Sequence, residues 1–188
     1  MSERRLLLIA KPQPDVLSAM VQEVTKHQLH TRLGAALFAP ENWHQSLSRP
    51  YRYEAGLCER LLLAGSRIAA NCCVVTLNRI SSQHAAAPGI HWAFRARGQP
   101  KGFPALLSAV RSALIAQGVD ERQGHSPHVT ISYRAPTPLS SRVIAPIDWT
   151  IDEIQLVLAG DSEPYRYQTL GHWALATPRY PYAQLRLL

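Results

Sequence analysis

Segments with strand periodicity and segments with helix periodicity alternate along this chain, and their order limits the folds that it can adopt. Short runs that are rich in β-branched residues, or in which apolar and polar residues alternate strictly, indicate strands. Longer stretches with apolar residues at spacings of three and four indicate amphipathic helices. The predicted order is β, α, β, α, β, β, α, β, β, β, which is typical of an α+β fold with antiparallel strand pairs.

The periodicity also predicts where each element begins and ends. Strands are predicted over residues 5–10, 43–48, 72–80, 90–97, 128–133, 149–161 and 165–176, and helices over residues 15–28, 54–68 and 103–117. The stretch before residue 43, the Pro-rich loop after residue 133 and the tail after Pro178 show no clear period, so they are predicted to be irregular. No linker separates two autonomous parts, and we expect residues 1–188 to form one domain.

Charge and cysteine content restrict the class of protein. The formal net charge is +7 and the sequence pI about 9.7, which favours polyanionic partners such as RNA, DNA or anionic lipid. Three cysteines, of which Cys72 and Cys73 are adjacent, form neither a disulfide framework nor a zinc motif, so we expect reduced thiols. The apolar run before Lys11 is too short for a signal peptide or a membrane span. A cytoplasmic protein without membrane association is therefore predicted.

One short pattern occurs twice, as "NWHQSLS" and as "SPHVTIS". The first copy places His44 two residues before Ser46, and the second places His128 two residues before Thr130. Both copies lie in predicted strands, in which alternate side chains share a face and lie roughly 6.5–7 Å apart along the strand. Each histidine therefore points to the same side as its hydroxyl residue, which predicts two equivalent half-sites.

Two such half-sites facing each other would suit in-line attack on a phosphodiester. One imidazole takes a proton from the nucleophile, the other protonates the leaving oxygen, and the hydroxyls hold the non-bridging oxygens. A 2′,3′-cyclic phosphate attacked by water fits this arrangement, and the mechanism requires no metal. A single His-x-hydroxyl pattern is uninformative, because most such histidines belong to a core or a surface. Two copies in strand context strengthen the catalytic interpretation but do not decide it by themselves.

The two patterns and their flanks resemble a known family. The opening "RLLLIAKPQPDV", the motifs "NWHQSLS" and "SPHVTISYR" and the closing strand "YRYQTLGHWAL" are similar to the two-histidine (2H) phosphoesterases, and most closely to the bacterial RNA 2′,3′-cyclic phosphodiesterases, also called 2′-5′ RNA ligases. This resemblance extends over most of the chain. It implies a bilobal fold in which two antiparallel-sheet lobes surround a central cleft, with the helices outside and one motif in each lobe.

The resemblance also implies roles for individual residues. His128 would be the base that activates water, and His44 the acid that protonates the O3′ leaving group, so that the product is a 2′-phosphomonoester. Ser46 and Thr130 would bind the phosphate, although the family more often has Thr at the first position. Arg134 is the candidate for the basic residue that close relatives carry after the second motif. The implied partners are RNA or nucleotides with a 2′,3′-cyclic phosphate, such as tRNA fragments, and the implied enzyme is a monomer without cofactor.

Several residues keep two interpretations. Arg134 is either a phosphate ligand or a solvated charge at a strand end, and Arg49 and Arg52 are more simply surface charges than substrate ligands. Trp92 and Tyr133 are aromatic candidates for base stacking, but packing in the core or in a wall is the simpler interpretation. Trp43 lies on the strand face opposite His44 and is predicted to be in the core. The six other histidines lack metal-ligand spacing; they are His27, His30, His84, His91, His125 and His172.

Two further functional hypotheses remain open. A nucleotide- or RNA-binding module of the same fold, without significant catalysis, would suit the basic charge and the hydroxyls equally well. Ligation of RNA ends through a 2′-5′ bond is the third hypothesis, and the sequence does not separate it from hydrolysis because one site would serve both directions.

Overall fold

Two antiparallel sheets organise the part of the chain that the computed structural model describes, which comprises residues 3–84, 89–96, 98, 100–121, 124–160 and 166–177. Its strands are β1 (Arg5–Ala10), β2 (Gln45–Ser46), β3 (Tyr51–Arg52), β4 (Cys73–His84), β5 (Ile90–Ala96), β6 (His128–Ser132), β7 (Arg142–Ile151), β8 (Glu153–Ala159) and β9 (Gln168–Ala174). Its α-helices are α1 (Pro14–Lys26), α2 (Leu29–Leu33), α3 (Ala55–Ser66) and α4 (Phe103–Ala116).

Each sheet forms one lobe. In the first sheet the strand order is β2-β1-β8-β9, and β3 also pairs with β1; in the second sheet the order is β6-β5-β4-β7. Every strand pair is antiparallel, including the predicted β4–β5 hairpin. Helix α1 packs on β7, α3 packs on β8 and β9, and α4 packs on β4 and α3. The predicted α+β fold with two antiparallel lobes is confirmed.

The prediction of one strand over residues 149–161 is wrong, because the chain changes sheet at Asp152. β7 ends at Ile151 in the second sheet and β8 begins at Glu153 in the first. The buried residues have odd numbers at the end of β7, as Trp149 does, and even numbers at the start of β8, as Ile154 does. One extra residue at the crossing therefore moves the buried side chains to the other face of the strand. Gln13 Nε2 supports the crossing by donating to Asp152 Oδ1 at 2.7 Å. β7 also begins earlier than expected, within the stretch predicted to be a loop.

Other differences are smaller. The region predicted to be irregular before residue 43 contains α2 and two short 3₁₀ turns, and β3 was not predicted. The predicted strand over 43–48 shrinks to the two residues of β2. The predicted helices over 15–28, 54–68 and 103–117 agree with α1, α3 and α4 to within two residues. The tail after Pro178 and the ends of the predicted strands at residues 97, 161 and 165 lie outside the described residues.

Large aromatic side chains fill the core between sheets and helices. Trp43, Trp92, Trp149, Phe94 and Phe103 are all at most 2% exposed. The prediction that Trp43 is a core residue is therefore confirmed, and the same holds for Trp92. No helix in the described ranges is both long and apolar enough to cross a membrane.

The close contact between α3 and β9 leads to a stability prediction. A Cβ atom on Gly65 would overlap the ring of Trp173, whereas a Cβ atom on Gly56 in the same helix would meet nothing. We expect Gly65→Ala to destabilise the fold by roughly 1–3 kcal/mol through overpacking. Gly56→Ala should instead stabilise it by up to about 1 kcal/mol through helix propensity. Urea denaturation measures both free energies of unfolding, and equal stabilities of the two variants would contradict this assignment of the contact.

Candidate active site

The two His-x-hydroxyl motifs lie where the edges of the two sheets meet. β2, with Ser46, is an edge strand of the first sheet, and β6, with His128 and Thr130, is an edge strand of the second. His44 directly precedes β2, and β2 and β6 contact each other. The fold therefore brings together two motifs that are far apart in the chain.

The two imidazoles are held in the same way. His44 Nδ1 lies 2.7 Å from the carbonyl oxygen of Asn42, and His128 Nδ1 lies 2.7 Å from the carbonyl oxygen of Ser126. A carbonyl only accepts hydrogen bonds, so Nδ1 carries the proton in both rings and Nε2 carries the lone pair. Each bond runs from the ring to the backbone two residues before it. The repeated sequence pattern is thus a repeated local geometry.

The alternation predicted from the sequence holds for residues 43–47 of the first motif and ends at Ser48, which is 1% exposed and accepts a hydrogen bond from the backbone N–H of Leu8. Trp43, Gln45 and Leu47 are at most 1% exposed, whereas His44 and Ser46 are only partly buried. The second motif follows the same pattern over its first four residues, because His128 and Thr130 are partly buried and the apolar residue after each of them is buried; Ser132, at the end of β6, is fully buried. The histidine and the hydroxyl residue two places after it therefore lie on the less buried side of the chain in both motifs.

Gln45 connects the two motifs directly, and sequence reasoning missed it. Its Oε1 accepts a hydrogen bond of 2.6 Å from the backbone N–H of His128. Its Nε2 donates to the carbonyl oxygen of Ser46 at 2.8 Å and to that of Ser126 at 3.4 Å. The side chain is fully buried. The available signal was a glutamine at a position whose alternation predicts an apolar residue, because a buried amide needs hydrogen-bond partners.

A second polar contact joins the lobes farther from the histidines. The carboxylate of Glu121, which is 3% exposed, accepts hydrogen bonds from the Tyr51 hydroxyl at 2.7 Å and from the backbone N–H of Arg49 at 2.9 Å. Burial and this carboxylate both raise the pKa of Tyr51. The Tyr51 hydroxyl therefore stays protonated and acts as a donor that attaches β3 to the segment before β6.

Burial keeps both histidines neutral over a wide pH range. Burial lowers the pKa of His44 to about 4, against the raising effect of the hydrogen bond to Asn42, and the positive charges of Lys11 and His128 lower it further. Burial also lowers the pKa of His128. The positive charge of a protonated His128 disfavours protonation of His44.

One cavity of about 530 Å³ contains a residue from each motif, His44 and Thr130. Ser46 and His128 are not among its lining residues. Its remaining wall is mainly apolar and aromatic, and it includes Phe38, Tyr133 and Tyr167. The ring of His44 packs edge-on against Tyr167, with 5.1 Å between centroids. A space lined by the imidazole of one motif and the hydroxyl residue of the other is suited to a ring system joined to a phosphate.

The two aromatic candidates have different environments. Tyr133 is 46% exposed and packs against Phe38 and His91, so it forms part of the cavity wall. Trp92 is fully buried and donates its indole N–H to the carbonyl of Thr137, which leaves no face for a base.

The three candidate arginines lie outside the lining of this cavity. Arg134 is exposed just after β6, and its role as a phosphate ligand stays a prediction. Arg49 approaches Asp120 at 3.9 Å and Arg52 approaches Glu3 at 3.5 Å, which fits the interpretation of both as surface charges. Surface pairs of this kind contribute little to stability.

The polar groups at the junction of the sheets do not form a cluster of metal ligands. Over the described ranges, no three His, Cys, Asp or Glu side chains come together as potential ligands of one ion. His125 lies in the segment before β6, where it lines a different cavity with Arg111 and Ser126. The described polar groups at the meeting edges of β2 and β6 include the two imidazoles, the two hydroxyl residues and the buried amide of Gln45.

Comparison with known proteins identifies the fold. No protein-family profile and no curated protein matches the chain. Among solved structures, Escherichia coli LigT in its apo form has 23% sequence identity and a TM-score of 0.70, over 94% of this chain and 100% of LigT. A phosphoesterase with 22% identity and a TM-score of 0.69 covers 93% of this chain and 99% of its own. A protein of Thermus thermophilus has 20% identity and a TM-score of 0.69, over 93% of this chain and 100% of its own.

These likenesses show that the chain has the LigT fold, as the resemblance of its motifs predicted. LigT itself has also been crystallised with phosphate, 3′-AMP, ATP and NADP+.

Proposed function

We propose that this chain, which has the fold of LigT, is a metal-independent RNA 2′,3′-cyclic phosphodiesterase. It hydrolyses 2′,3′-cyclic phosphate ends of RNA or nucleotides to 2′-phosphomonoesters, with His44 and His128 as the catalytic pair. In the ligase direction the same pair joins a 2′,3′-cyclic phosphate to a 5′-hydroxyl through a 2′-5′ bond, without ATP.

The observation that carries this proposal is the equivalence of the two histidines. Each ring donates from Nδ1 to a carbonyl at 2.7 Å and leaves Nε2 for proton transfer. His44 directly precedes β2 and His128 begins β6, two edge strands that contact each other, and His44 and Thr130 line a cavity at this place. In-line displacement needs a proton acceptor and a proton donor on opposite sides of phosphorus, and two imidazoles held in the same manner provide both. The complexes of LigT with phosphate and 3′-AMP support a nucleotide phosphate as the ligand of this fold.

The proposed step is a single displacement at phosphorus. Nε2 of His128 takes a proton from water as the water oxygen forms a bond to phosphorus, and the P–O3′ bond breaks. Nε2 of the protonated His44 gives its proton to O3′. The hydroxyls of Ser46 and Thr130 donate hydrogen bonds to the non-bridging oxygens, where negative charge increases in the transition state. Ligation follows the same path with a 5′-hydroxyl in place of water.

The experiment that tests the function is direct. We expect adenosine 2′,3′-cyclic phosphate, incubated with the protein and EDTA, to be converted to the 2′-phosphomonoester, as followed by phosphorus NMR. Loss of turnover on chelation would contradict the metal-independent mechanism. Binding without turnover, in buffer with or without EDTA, would instead favour the nucleotide-binding module, and formation of the 3′-phosphomonoester would exclude the assigned leaving group.

The lowered pKa values predict an acidic optimum for kcat/KM. Catalysis requires one proton shared between two imidazoles, and the pKa values of both lie below the ordinary 6.5 in the free protein. Since a lowered pKa means that the proton leaves at lower pH, the singly protonated pair is most populated below pH 6.5. For the cyclic mononucleotide, kcat/KM should therefore reach its maximum in that acidic range and fall as pH rises.

The kcat profile should lie at higher pH than the kcat/KM profile, because bound phosphate favours the imidazolium and raises its pKa. The charged and titratable groups that act on the two rings are Lys11, Arg95, His91 and His125. Initial rates between about pH 4 and 9 at constant ionic strength measure both profiles. A maximum of kcat/KM above about pH 7.5 would show that the pair does not titrate as proposed.

A further inference from the structure

Two arginines lie on the face of the second sheet that carries the second motif. In the antiparallel register of β5 and β6, Arg95 is opposite His128 and Ala93 is opposite Thr130. In the register of β4 and β5, Arg79 is opposite Arg95. Directly opposite residues share a face of the sheet, so both arginines extend the polar face of β6 toward the middle of the sheet.

Within the described part of the chain, each of the two guanidinium groups donates to a neutral oxygen. Arg95 Nη2 donates to Oε1 of Gln83 at 2.8 Å, and Arg79 Nη2 donates to the carbonyl oxygen of Ala96 at 3.2 Å. Within the described ranges no carboxylate lies within 4 Å of either group. The Nε of Arg79 is buried and has no hydrogen-bond partner there. Among the described residues, no ion pair compensates the positive charge of this pair.

The Arg95 side chain lies on the sheet face next to the second motif. Gln83, which it reaches, is opposite His91 in the sheet register, so the side chain passes Ala93, the cross-strand neighbour of Thr130. The charge of Arg95 lowers the pKa of both His91 and His128, which indicates that it is close to both rings. Arg79 extends the other way, toward the end of β5.

Two partly buried cations from neighbouring strands are costly to keep without an anion. Burial lowers the pKa of Arg95, and the neighbouring charge of Arg79 adds to that effect. Partial burial removes water that would stabilise each guanidinium, and the like charges repel. A phosphate relieves both effects, since its oxygens accept charge-assisted hydrogen bonds from the arginine fork.

We propose that Arg95 and Arg79 bind the phosphodiester next to the cyclic phosphate, so that the preferred substrates are RNA ends of two or more nucleotides. This inference rests on the proposed function, because it places the reacting phosphate between the two motifs. The backbone positions of Arg95 and Arg79 are one and two strands away from that of His128, or about 5 and about 10 Å across the sheet. That range is suited to the next phosphate of the same RNA strand, whereas the reacting phosphate lies at the meeting edges of β2 and β6.

The experiment compares two substrates that differ by one nucleotide and one phosphodiester. They are adenosine 2′,3′-cyclic phosphate and the ribodinucleotide ApA with a terminal 2′,3′-cyclic phosphate. The wild type should show a higher kcat/KM for the dinucleotide, and Arg95→Gln and Arg79→Gln should each reduce this preference about tenfold, the effect of losing one charge-assisted hydrogen bond. Arg67→Gln, at the exposed end of α3, is the matched control and should keep the wild-type preference.

Salt dependence gives a second measurement. Each phosphate contact on a single strand contributes a slope of about −0.7 to the logarithmic dependence of binding on salt concentration. In the wild type and in Arg67→Gln, the slope for the dinucleotide should therefore be more negative than that for the mononucleotide. The difference between the two slopes should be smaller in Arg79→Gln. Equal slopes for the two ligands in the wild type would overturn the inference.

Failure of this inference and failure of the proposed function have different results. If both substrates react equally well, or if the arginine variants slow both substrates by the same factor, the pair does not bind the adjacent phosphodiester, and the proposed function stands. If neither substrate reacts, the proposed function fails. Calorimetric binding of the two unreacted ligands then decides the inference, because tighter binding of the dinucleotide that depends on Arg79 and Arg95 supports it, and equal binding overturns it.

Discussion

His128→Ala and His44→Ala are each expected to lower kcat for 2′,3′-cyclic phosphate hydrolysis by about 10²–10⁴-fold, the usual contribution of one positioned acid or base. Both rings sit in the same backbone geometry, and the proposed displacement needs both at once. The double variant should therefore lose little more than either single variant, because residues that act as a unit are not additive. Initial rates on adenosine 2′,3′-cyclic phosphate measure all three.

A matched control separates catalysis from general loss of a histidine. His30→Ala removes an exposed imidazole on α2 and should keep the wild-type rate. Circular dichroism shows whether the variants are folded. If a folded His44→Ala or His128→Ala variant retained kcat close to that of the wild type, the two-imidazole mechanism would be wrong.

The roles of the two rings can be separated by the leaving group. A phosphodiester with a p-nitrophenolate leaving group needs no proton donor, because the nitrophenolate leaves as an anion. We expect His44→Ala, which removes the proposed acid, to lose less activity on such an ester than on the cyclic phosphate. His128→Ala should lose activity on both. The opposite pattern would exchange the two roles and leave the catalytic pair itself intact.

Gln45→Leu is expected to lower kcat/KM by about 10²-fold, although this side chain has no proposed contact with the substrate. It would remove the acceptor of the His128 N–H and one donor to the Ser126 carbonyl, the same carbonyl that orients the His128 ring. A displacement of a catalytic group by about 1 Å can cost a factor of that size. Leaving buried backbone groups unsatisfied should also destabilise the fold by about 1–3 kcal/mol.

Leu47→Ala is the control for the stability part of this effect. Leu47 lies on the same buried strand face as Gln45, and its apolar side chain makes no hydrogen bond to the second motif. The substitution should destabilise the fold by about 2–5 kcal/mol through a cavity, yet keep most of the activity at temperatures where the variant is folded. Equal kcat/KM for folded Gln45→Leu and wild type would show that Gln45 is structural only and does not position His128.

The predicted elements agree with the structure where the apolar pattern is local. The alternation in "NWHQSLS" assigned Trp43 and His44 to opposite faces, and Trp43 is indeed buried in the core. The β4–β5 hairpin and the three longer helices likewise have patterns that repeat over neighbouring residues. These patterns show which face of an element packs against the core. Residues two to four positions apart in the sequence are enough to determine that face.

The prediction failed where neighbouring strands belong to different sheets. The apolar residues on both sides of Asp152 gave one continuous strand-like run, and the change of parity between Trp149 and Ile154 was the only local sign of the crossing. A short edge strand such as β3 was missed for a related reason, because two residues carry no period. Both elements are stabilised by partners from distant parts of the chain.

The repeated His-x-hydroxyl pattern was sufficient to select His44 and His128, because alternation along a strand determines which side chains point the same way. It did not reveal Gln45 or the arginine pair. Gln45 lies on a buried face, and its role depends on a hydrogen bond to a backbone N–H that is 83 residues away in the chain. Arg79 and Arg95 become neighbours only through the register of β4 and β5. Local periodicity determines which face of an element each residue occupies. Contacts between elements depend instead on which strands pair and in what register, and that pairing is determined by the packing of the whole core.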